Sequence, residues 1–214
     1  MQKNNISLDD FKNIFTNIQK DIELNAKYLC ELDSVIGDGD HGTTISKGFN
    51  NAVNQIKTNN PNNIRDLFLT VGNAILDTVG GVTGVVFGSM FTSMGEAIPQ
   101  TATSIGIEEL IKMFESGLEI ALTIGKGAKP GEKTMVDALY PAVLSLKKSF
   151  AENKSLKEAL DEMSNAAEKG AISTKDMIAT KGRARYLQER SVGYQDAGAT
   201  SVVIIIKAFS KYYK

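Results

Sequence analysis

Apolar residues recur along much of the chain at intervals of three and four positions, the spacing of one face of an α-helix. The first such segment opens at Ser7, where Asp10 three positions later predicts a capping box, and we expect this helix to run to about Leu32. Further helices are expected at about 45–56, 64–75, 85–97, 107–122, 135–150, 155–180 and 199–213. The pattern therefore predicts an all-α chain of eight helices.

The last segment is ambiguous, because the unbroken run of Val and Ile at 202–206 also has strand propensity. Periodicity alone does not distinguish the two structures, and we assign a helix because nothing else in the sequence offers a strand to pair with. The sequence contains no internal repeat, linker or low-complexity tract. We therefore expect residues 1–214 to form one domain, an antiparallel bundle.

Four connections between the predicted helices are rich in glycine and polar residues, at 33–42, 80–84, 125–133 and 181–198. They follow the first, third, fifth and seventh helices, and alternate connections of an antiparallel bundle lie at the same end. Loops held on a rigid scaffold commonly carry binding residues. The sequence therefore predicts that the functional residues lie together on one rim of the bundle.

Composition narrows the partners that this rim can bind. The formal net charge is −1, so the overall field gives no reason to expect nucleic acid or a membrane surface. No run approaches the roughly 20 apolar residues that cross a bilayer, and the N-terminus lacks the apolar stretch of a signal peptide. We therefore expect a cytoplasmic protein. Cys30 is the only cysteine, so no intramolecular disulfide can form, and we expect a buried, inert thiol.

Three aspartates crowd the first of these connections: Asp33, Asp38 and Asp40 alternate there with glycines. Carboxylates held this close repel one another unless a cation neutralises them, and oxygen donors suit Mg²⁺ or Ca²⁺ better than zinc. The following HGTT (41–44) opens a helix whose N-terminus favours phosphate. A metal and phosphate site competes here with a simpler interpretation, a solvated acidic turn in which Asp40 or Thr43 caps the helix.

His41 is the only histidine, which makes it a candidate general base or phosphoryl carrier. We favour a positioning contact in a tight loop, because a magnesium site stabilises charge without a protein base. The sequence alone leaves these alternatives open.

The third and fourth connections add cationic residues. Gly125, Lys126 and Lys133 can approach a nucleotide and Met135 can lie against an adenine ring, although exposed lysines are commonly just solvated. Arginines suit either bidentate phosphate contacts or ion pairs that pin a long loop. The fourth connection contains three of them, at 183, 185 and 190.

Together the four connections resemble a known family. In order, they are similar to motifs of the nucleotide-binding L subunit of dihydroxyacetone kinase (DhaL type): IGDGDHGTT (36–44), VGGVTG (79–84), KPGEKTMVDAL (129–139) and GRARYLQERSVGYQDAGATS (182–201). Four ordered motifs that span nearly the whole chain are far more specific than any one of them. The resemblance implies an antiparallel eight-helix barrel that binds the nucleotide at one end.

The resemblance also implies a ligand set. Asp33, Asp38 and Asp40 are expected to hold two Mg²⁺ ions, and Arg183 to stabilise charge on the transferred phosphoryl group. Gly127 is an alternative to Gly125, because the third connection is one residue longer than is usual in the family. Contacts to ADP or ATP are expected from His41, Gly42, Thr43, Thr44, Val82, Thr83, Gly125, Met135, Arg183, Asp196, Ala197 and Gly198.

Members of this family work with other proteins. A K subunit holds dihydroxyacetone covalently on a histidine, and in the phosphotransferase-dependent form a phosphocarrier M subunit recharges an ADP that stays bound as a coenzyme. Only a short segment precedes Ser7, so we expect no attached K domain and hence this form, with K and M subunits as partners. The resemblance leaves open whether the chain is a homodimer.

Three alternatives remain. The first is the L subunit of an ATP-dependent kinase for another short ketose, such as erythrulose. The second is the N-terminal domain type of fatty acid kinase, which His41 after Asp40 and QDAGATS (195–201) disfavour. The third is a regulatory module that senses the nucleotide and contacts a transcription factor without turnover.

Overall fold

The computed structural model describes residues 4–213 and is built almost entirely of α-helices. Each helix packs against the next, and the last packs against the first, so the helices close into a ring. Most connections are short, so neighbouring helices run antiparallel. The predicted all-α fold is confirmed. The α-helices of this range are α1 (Leu8–Ile36), α2 (His41–Asn59), α3 (Ile64–Thr78), α4 (Gly81–Glu96), α5 (Ile107–Ile124), α6 (Val136–Ala151), α7 (Leu156–Ser173) and α8 (Ala197–Tyr212), and 3₁₀ helices span Thr174–Asp176 and Ala184–Ser191.

The predicted capping box at the start of α1 is confirmed, and it also fastens the ring. Ser7 Oγ accepts the Asp10 N–H at 3.2 Å, and the Asp10 carboxylate accepts the Ser7 N–H at 2.7 Å. The same buried carboxylate accepts a hydrogen bond of 2.9 Å from the hydroxyl of Tyr212, at the end of α8. One carboxylate therefore begins α1 and ties α1 to α8.

Phenylalanines fill the barrel between α1, α3, α4 and α8. The Phe68 ring lies edge-on to both Phe11 and Phe15, with centroids 5.2 and 5.1 Å apart. Phe15 also contacts Phe91 at 5.7 Å, and Phe11 contacts Phe209 at 6.1 Å. Phe11 and Phe15 lie in the first turns of α1, so this aromatic cluster is at the end opposite to the C-terminus of α1. The rim that carries the glycine-rich connections is therefore supported by a packed core below it.

The Val and Ile run at 202–206 is helical, as predicted, within α8. The expectation that the rest of the chain offers no strand is wrong in a small way. Strands β1 (Ile6–Ser7) and β2 (Ser104–Ile105) pair antiparallel, with Ile6 opposite Ile105. Each strand has two residues, which is too short to produce an alternating pattern that a sequence would reveal.

Three predicted boundaries need correction. α1 continues to Ile36, because no glycine interrupts the chain before position 37, so Asp33 lies on the last helical turn. The GGVTG stretch is not a free loop, since α4 already begins at Gly81. α7 ends at Ser173, well short of residue 180, and a short 3₁₀ turn at Thr174–Asp176 follows it.

Candidate functional site

The three predicted aspartates are brought together at the junction of α1 and α2. One carboxylate oxygen from each of Asp33, Asp38 and Asp40 lies within 4.8 Å of the others. Asp33 is half-buried, whereas Asp38 and Asp40 are exposed. A cluster of three anionic oxygens open to solvent is a donor set that fits a hard divalent cation such as Mg²⁺.

The local backbone holds Asp33 in this arrangement. Its Oδ2 atom accepts the N–H groups of Asp40 at 3.1 Å and His41 at 3.2 Å, which fastens the end of α1 to the start of α2. A β-carbon at Gly37 would lie 2.1 Å from Asp33 Oδ1, so any side chain there would displace the carboxylate. Gly39 has φ +78°, which side-chain-bearing residues rarely adopt. The interleaved glycines are therefore needed to shape the cluster.

The structure does not support the capping role that the simpler interpretation of this loop gave to Asp40. Asp40 occupies the N-cap position of α2, but its side chain makes no capping hydrogen bond. The Thr43 N–H, in the first turn, is directed at Cys30 Sγ at 3.4 Å. The expectation of a buried Cys30 is wrong, because the thiol is only half-buried and packs against Thr43 on the neighbouring helix. Asp40 therefore lies close to Asp33 and Asp38 without a capping hydrogen bond that would compensate for the repulsion among the three carboxylates.

His41 lies against two other helices. Its Nε2 atom is 2.8 Å from Ser201 Oγ on α8, and its ring centroid is 6.4 Å from that of Phe87 on α4. Burial lowers the pKa of His41, although the nearby carboxylates of Asp33 and Asp40 oppose the shift. A buried ring whose Nε2 is engaged by the Ser201 hydroxyl fits the positioning role that the sequence favoured over a base or phosphoryl carrier.

Arg183 brings the fourth connection to the aspartates. Its guanidinium group contacts the Asp38 carboxylate, and its side chain is 68% exposed. Arg185 behaves differently, because its Nη2 donates to the hydroxyl of Tyr186 at 2.6 Å and its guanidinium lies over that ring. Of these two arginines, only Arg183 faces the candidate metal site.

Asp196 begins α8 at the same rim. Its Oδ1 accepts the Ala199 N–H at 2.6 Å, the hydrogen bond of an N-cap. Desolvation raises the pKa of Asp196 to about 7; the charge of Asp137 adds to this shift, and Lys133 opposes it. A β-carbon on Gly198 would lie 3.5 Å from Met135 Cβ, so the Asp196–Gly198 turn and Met135 are neighbours.

The remaining predicted contacts lie at helix ends. Ala197 is in the first turn of α8, Gly42 and Thr44 are in that of α2, and Val82 and Thr83 are in that of α4. Val82 is 70% exposed, whereas Met135 is only 9% exposed. Gly125 is the C-cap of α5, where a β-carbon would lie 2.7 Å from Ala128 Cβ. The role of each of these residues in nucleotide binding stays a prediction.

Contacts between the connections agree with a common rim. Lys181 Nζ donates to the Lys126 carbonyl at 3.3 Å, which joins the third and fourth connections. The contact of Arg183 with Asp38 joins the fourth to the first. The second connection leads into α4, and Phe87 of α4 lies beside His41 at the end of the first connection.

One residue of the third connection lies elsewhere than expected. Lys133 is 1% exposed and donates to the backbone carbonyls of Thr174 and Tyr194, so it neither faces solvent nor reaches toward the aspartates. Its sequence neighbours are polar and glycine-rich, and no local pattern signals that a lysine there is buried. Its partners come from distant parts of the chain.

The carboxylate cluster and the helix N-termini around it indicate a protein that binds a metal and a phosphate compound, and comparison with known proteins supports this class. Residues 35–211 match the family described as the DAK2 domain, and the chain belongs to that family. The PEP-dependent dihydroxyacetone kinase, ADP-binding subunit DhaL of Escherichia coli (strain K12) is 41% identical over 182 residues, which cover 85% of this chain and 86% of that protein. The resemblance to kinase L subunits is thereby confirmed.

Two longer proteins contain a similar region. L-erythrulose 1-kinase of Mycolicibacterium smegmatis is 35% identical over 88% of this chain. The dihydroxyacetone kinase of C. freundii, solved in complex with AMP-PNP and Mg²⁺, superposes with a TM-score of 0.72 at 27% identity over 94% of this chain. The present chain spans about a third of each, namely 33% of both.

Within residues 4–213, no helix combines the length and the apolar character needed to cross a bilayer.

Proposed function

We propose that this protein is the ADP/ATP-binding subunit of a dihydroxyacetone kinase. It carries a phosphoryl group from a phosphocarrier M subunit, through bound ADP, to dihydroxyacetone held on a K subunit. The observation that carries the proposal is the cluster of Asp33, Asp38 and Asp40, with carboxylate oxygens within 4.8 Å of one another and Arg183 in contact with Asp38. The E. coli relative, at 41% identity, is described as an ADP-binding subunit of such a kinase.

The aspartates are assigned to metal binding. The resemblance to DhaL-type subunits implies two Mg²⁺ ions, and we assign both to this cluster, because carboxylate oxygens are ligands that Mg²⁺ accepts. When bound, the Mg²⁺–nucleotide supplies the transferable phosphoryl group and the cationic charge that screens it. Asp33 is held by two backbone N–H groups, so its carboxylate is oriented before any ligand arrives.

Helix N-termini are assigned to the phosphates. The first turns of α2 and α4 are each the positive end of a helix dipole, which favours a phosphate group. Gly42, Thr43 and Thr44 belong to the first of these turns, and Val82 and Thr83 to the second. The Asp196–Gly198 turn and its neighbour Met135 are assigned to the nucleoside side of the site.

Arg183 is assigned to the reacting phosphoryl group. Its exposed guanidinium already lies beside the metal cluster, and arginine matches phosphate oxygens with two parallel hydrogen bonds. His41 orients the start of α2 through Ser201 and takes no part in proton transfer.

A second candidate substrate is a four-carbon ketose. The match to an L-erythrulose 1-kinase at 35% identity over 88% of this chain supports this alternative. In that case the subunit serves the same phosphoryl transfer with another acceptor. The acceptor lies on the K subunit in the proposed arrangement, so the residues of this rim do not select it.

Reconstitution tests the proposal. The protein is mixed with K and M subunits, phosphoenolpyruvate and the general phosphotransferase proteins, and the formation of ketose phosphate is followed for dihydroxyacetone and for erythrulose. We expect turnover that requires this protein and Mg²⁺. Equal turnover without this protein would contradict the proposal and leave a purely regulatory, nucleotide-sensing role.

A further inference from the structure

A buried lysine lies behind the proposed nucleotide site. Lys133, in the connection before α6, is 1% exposed, although lysine is almost never fully buried unless its charge is paired. Its backbone has φ +60°, a left-handed conformation that is unfavourable for a residue with a side chain. Burial lowers its pKa, and the carboxylates of Asp196, Asp137 and Asp176 oppose that shift. The fold therefore keeps Lys133 in place despite the cost of burying its charge and the cost of its left-handed backbone.

The ammonium group of Lys133 joins two segments that are distant in sequence. It donates to the carbonyl oxygen of Thr174, which follows α7, at 2.5 Å, and to that of Tyr194, just before α8. The Thr174 hydroxyl in turn accepts the Asp196 N–H at 2.9 Å. The end of α7 and the approach to α8 are therefore tied together through one side chain.

The loop that carries Lys133 is itself shaped by hydrogen bonds. The buried carboxylate of Asp137, in the first turn of α6, accepts the Gly131 N–H at 2.5 Å and the Thr134 N–H at 2.8 Å. These bonds fix the backbone on both sides of Lys133. Met135 follows two residues later and lies beside Gly198, so the same loop sets one wall of the proposed nucleoside pocket.

We propose that Lys133 is a positioning residue for the nucleotide, which fixes the Asp196–Gly198 turn relative to Met135. The inference rests on the proposed function, since it concerns the same site. Lys133 lies behind the pocket surface and acts through the carbonyls of Thr174 and Tyr194. Its loss should misplace two walls of the pocket without the removal of any atom that touches the ligand.

The test compares affinity with stability in Lys133→Met, which keeps the long apolar stem but removes the donors. The dissociation constant for Mg²⁺–ADP is measured by calorimetry well below the melting temperature of each variant. Groups that orient the ligands of a metal typically contribute a factor of about 10–100 in affinity, and we expect the loss of Lys133 to raise Kd by a comparable factor, about tenfold to a hundredfold. A merely structural role would lower the unfolding midpoint and leave Kd of the folded protein unchanged.

A second variant covers the case in which Lys133→Met does not fold. Thr174→Val keeps the carbonyl and the shape of the side chain but removes the hydroxyl that accepts the Asp196 N–H. This variant disturbs the Asp196–Gly198 turn through the lost hydrogen bond to Thr174, so its Kd for Mg²⁺–ADP should also rise.

Lys154→Met is the matched control. Lys154 is likewise held by oxygen atoms of two residues, here the carboxylates of Glu152 at 2.7 Å and Glu162 at 2.6 Å, but it lies in the α6–α7 connection at the opposite end of the barrel. It should change stability alone. If the wild-type protein binds Mg²⁺–ADP and Kd is unchanged in folded Lys133→Met and Thr174→Val, only the positioning role is overturned. Wild-type protein that does not bind would overturn the proposed function and this inference together.

Discussion

The guanidinium group of Arg183 contacts the carboxylate of Asp38, although the two residues come from opposite ends of the sequence. The contact is possible because α8 closes the ring against α1, which places the connection before α8 beside the connection after α1. Both side chains are substantially exposed, at 68% and 44%, and such a pair contributes little to stability. The contact matters for function because it places the Arg183 guanidinium group beside the carboxylates assigned to the metal.

Asp38→Asn should weaken Mg²⁺–ADP binding by about tenfold or more, which is roughly 1.4 kcal/mol per factor of ten, because the cluster loses one of its three negative charges. The fold should persist, since Asp38 is exposed. Thermal shifts on addition of Mg²⁺–ADP measure the effect. Asp9→Asn, an exposed aspartate in the first turn of α1, is the control and should behave like wild type. An unchanged ligand-induced shift in Asp38→Asn would remove this residue from the metal site.

Arg183→Ala should slow phosphoryl transfer by roughly 10³–10⁵-fold if the arginine acts on the transition state. Nucleotide affinity should fall far less, because an interaction made only in the transition state lowers the rate and not ground-state binding. Single-turnover transfer and equilibrium binding are measured on the same preparations. Arg185→Ala is the control, since that side chain pairs with Tyr186. Equal losses of rate and affinity in Arg183→Ala would reduce it to a binding contact.

Asp196 should make the metal-free protein less stable as the pH rises. Its pKa is raised from 3.8 to about 7 in the folded state, so the folded protein binds more protons than the unfolded chain between these values. Its contribution to the free energy of unfolding is therefore lost as the pH rises from about 4 to about 7. The loss is up to about 4 kcal/mol, an upper bound because the side chain keeps some exposed surface.

The comparison of wild type with Asp196→Asn isolates this effect. Asparagine can still cap α8 but does not titrate. Denaturant unfolding in chelator at several pH values should show the stability of the variant, relative to wild type, increasing between pH 4 and 7. Parallel curves would show that Asp196 ionises normally in the folded protein.

Cys30 should report occupancy of the phosphate site. It is the only cysteine in the sequence, and its sulfur lies 3.4 Å from the Thr43 nitrogen, in the first turn assigned to the phosphates. Alkylation followed by mass spectrometry should be several-fold slower with Mg²⁺–ADP than with Mg²⁺ alone. Urea-unfolded protein gives the unprotected rate. Equal rates in the folded protein with and without nucleotide would place the phosphates away from Thr43.

Much of the fold was predictable because its signals are local. The helical spacing predicted the eight α-helices found within residues 4–213, and the parity of their connections predicted that the aspartates and Arg183 share a rim, as the contact of Arg183 with Asp38 shows. The end of α1 was placed too early because Asp33 reads as part of a polar loop, whereas the helix continues to Ile36. Helix ends depend on such single turns, and polarity alone does not locate them.

The rest depends on contacts between distant segments. The burial of Lys133 arises from carbonyl groups at 174 and 194, and Cys30 is half-buried where α2 packs on α1. Neither the spacing nor the composition near these residues contains that information. The sequence therefore predicted which residues gather at the rim better than it predicted what lies beneath them.

The central claim is that this subunit carries Mg²⁺–ADP as a coenzyme, and the nucleotide content of freshly purified protein tests it most directly. The protein is passed through a native desalting column in Mg²⁺ buffer, and the retained nucleotide is released by acid and identified by mass spectrometry. We predict close to one ADP per chain, lost when a chelator removes Mg²⁺, because a ligand enclosed by cations and several rim segments dissociates slowly. Protein that emerges free of nucleotide and exchanges added ATP freely would contradict the coenzyme role.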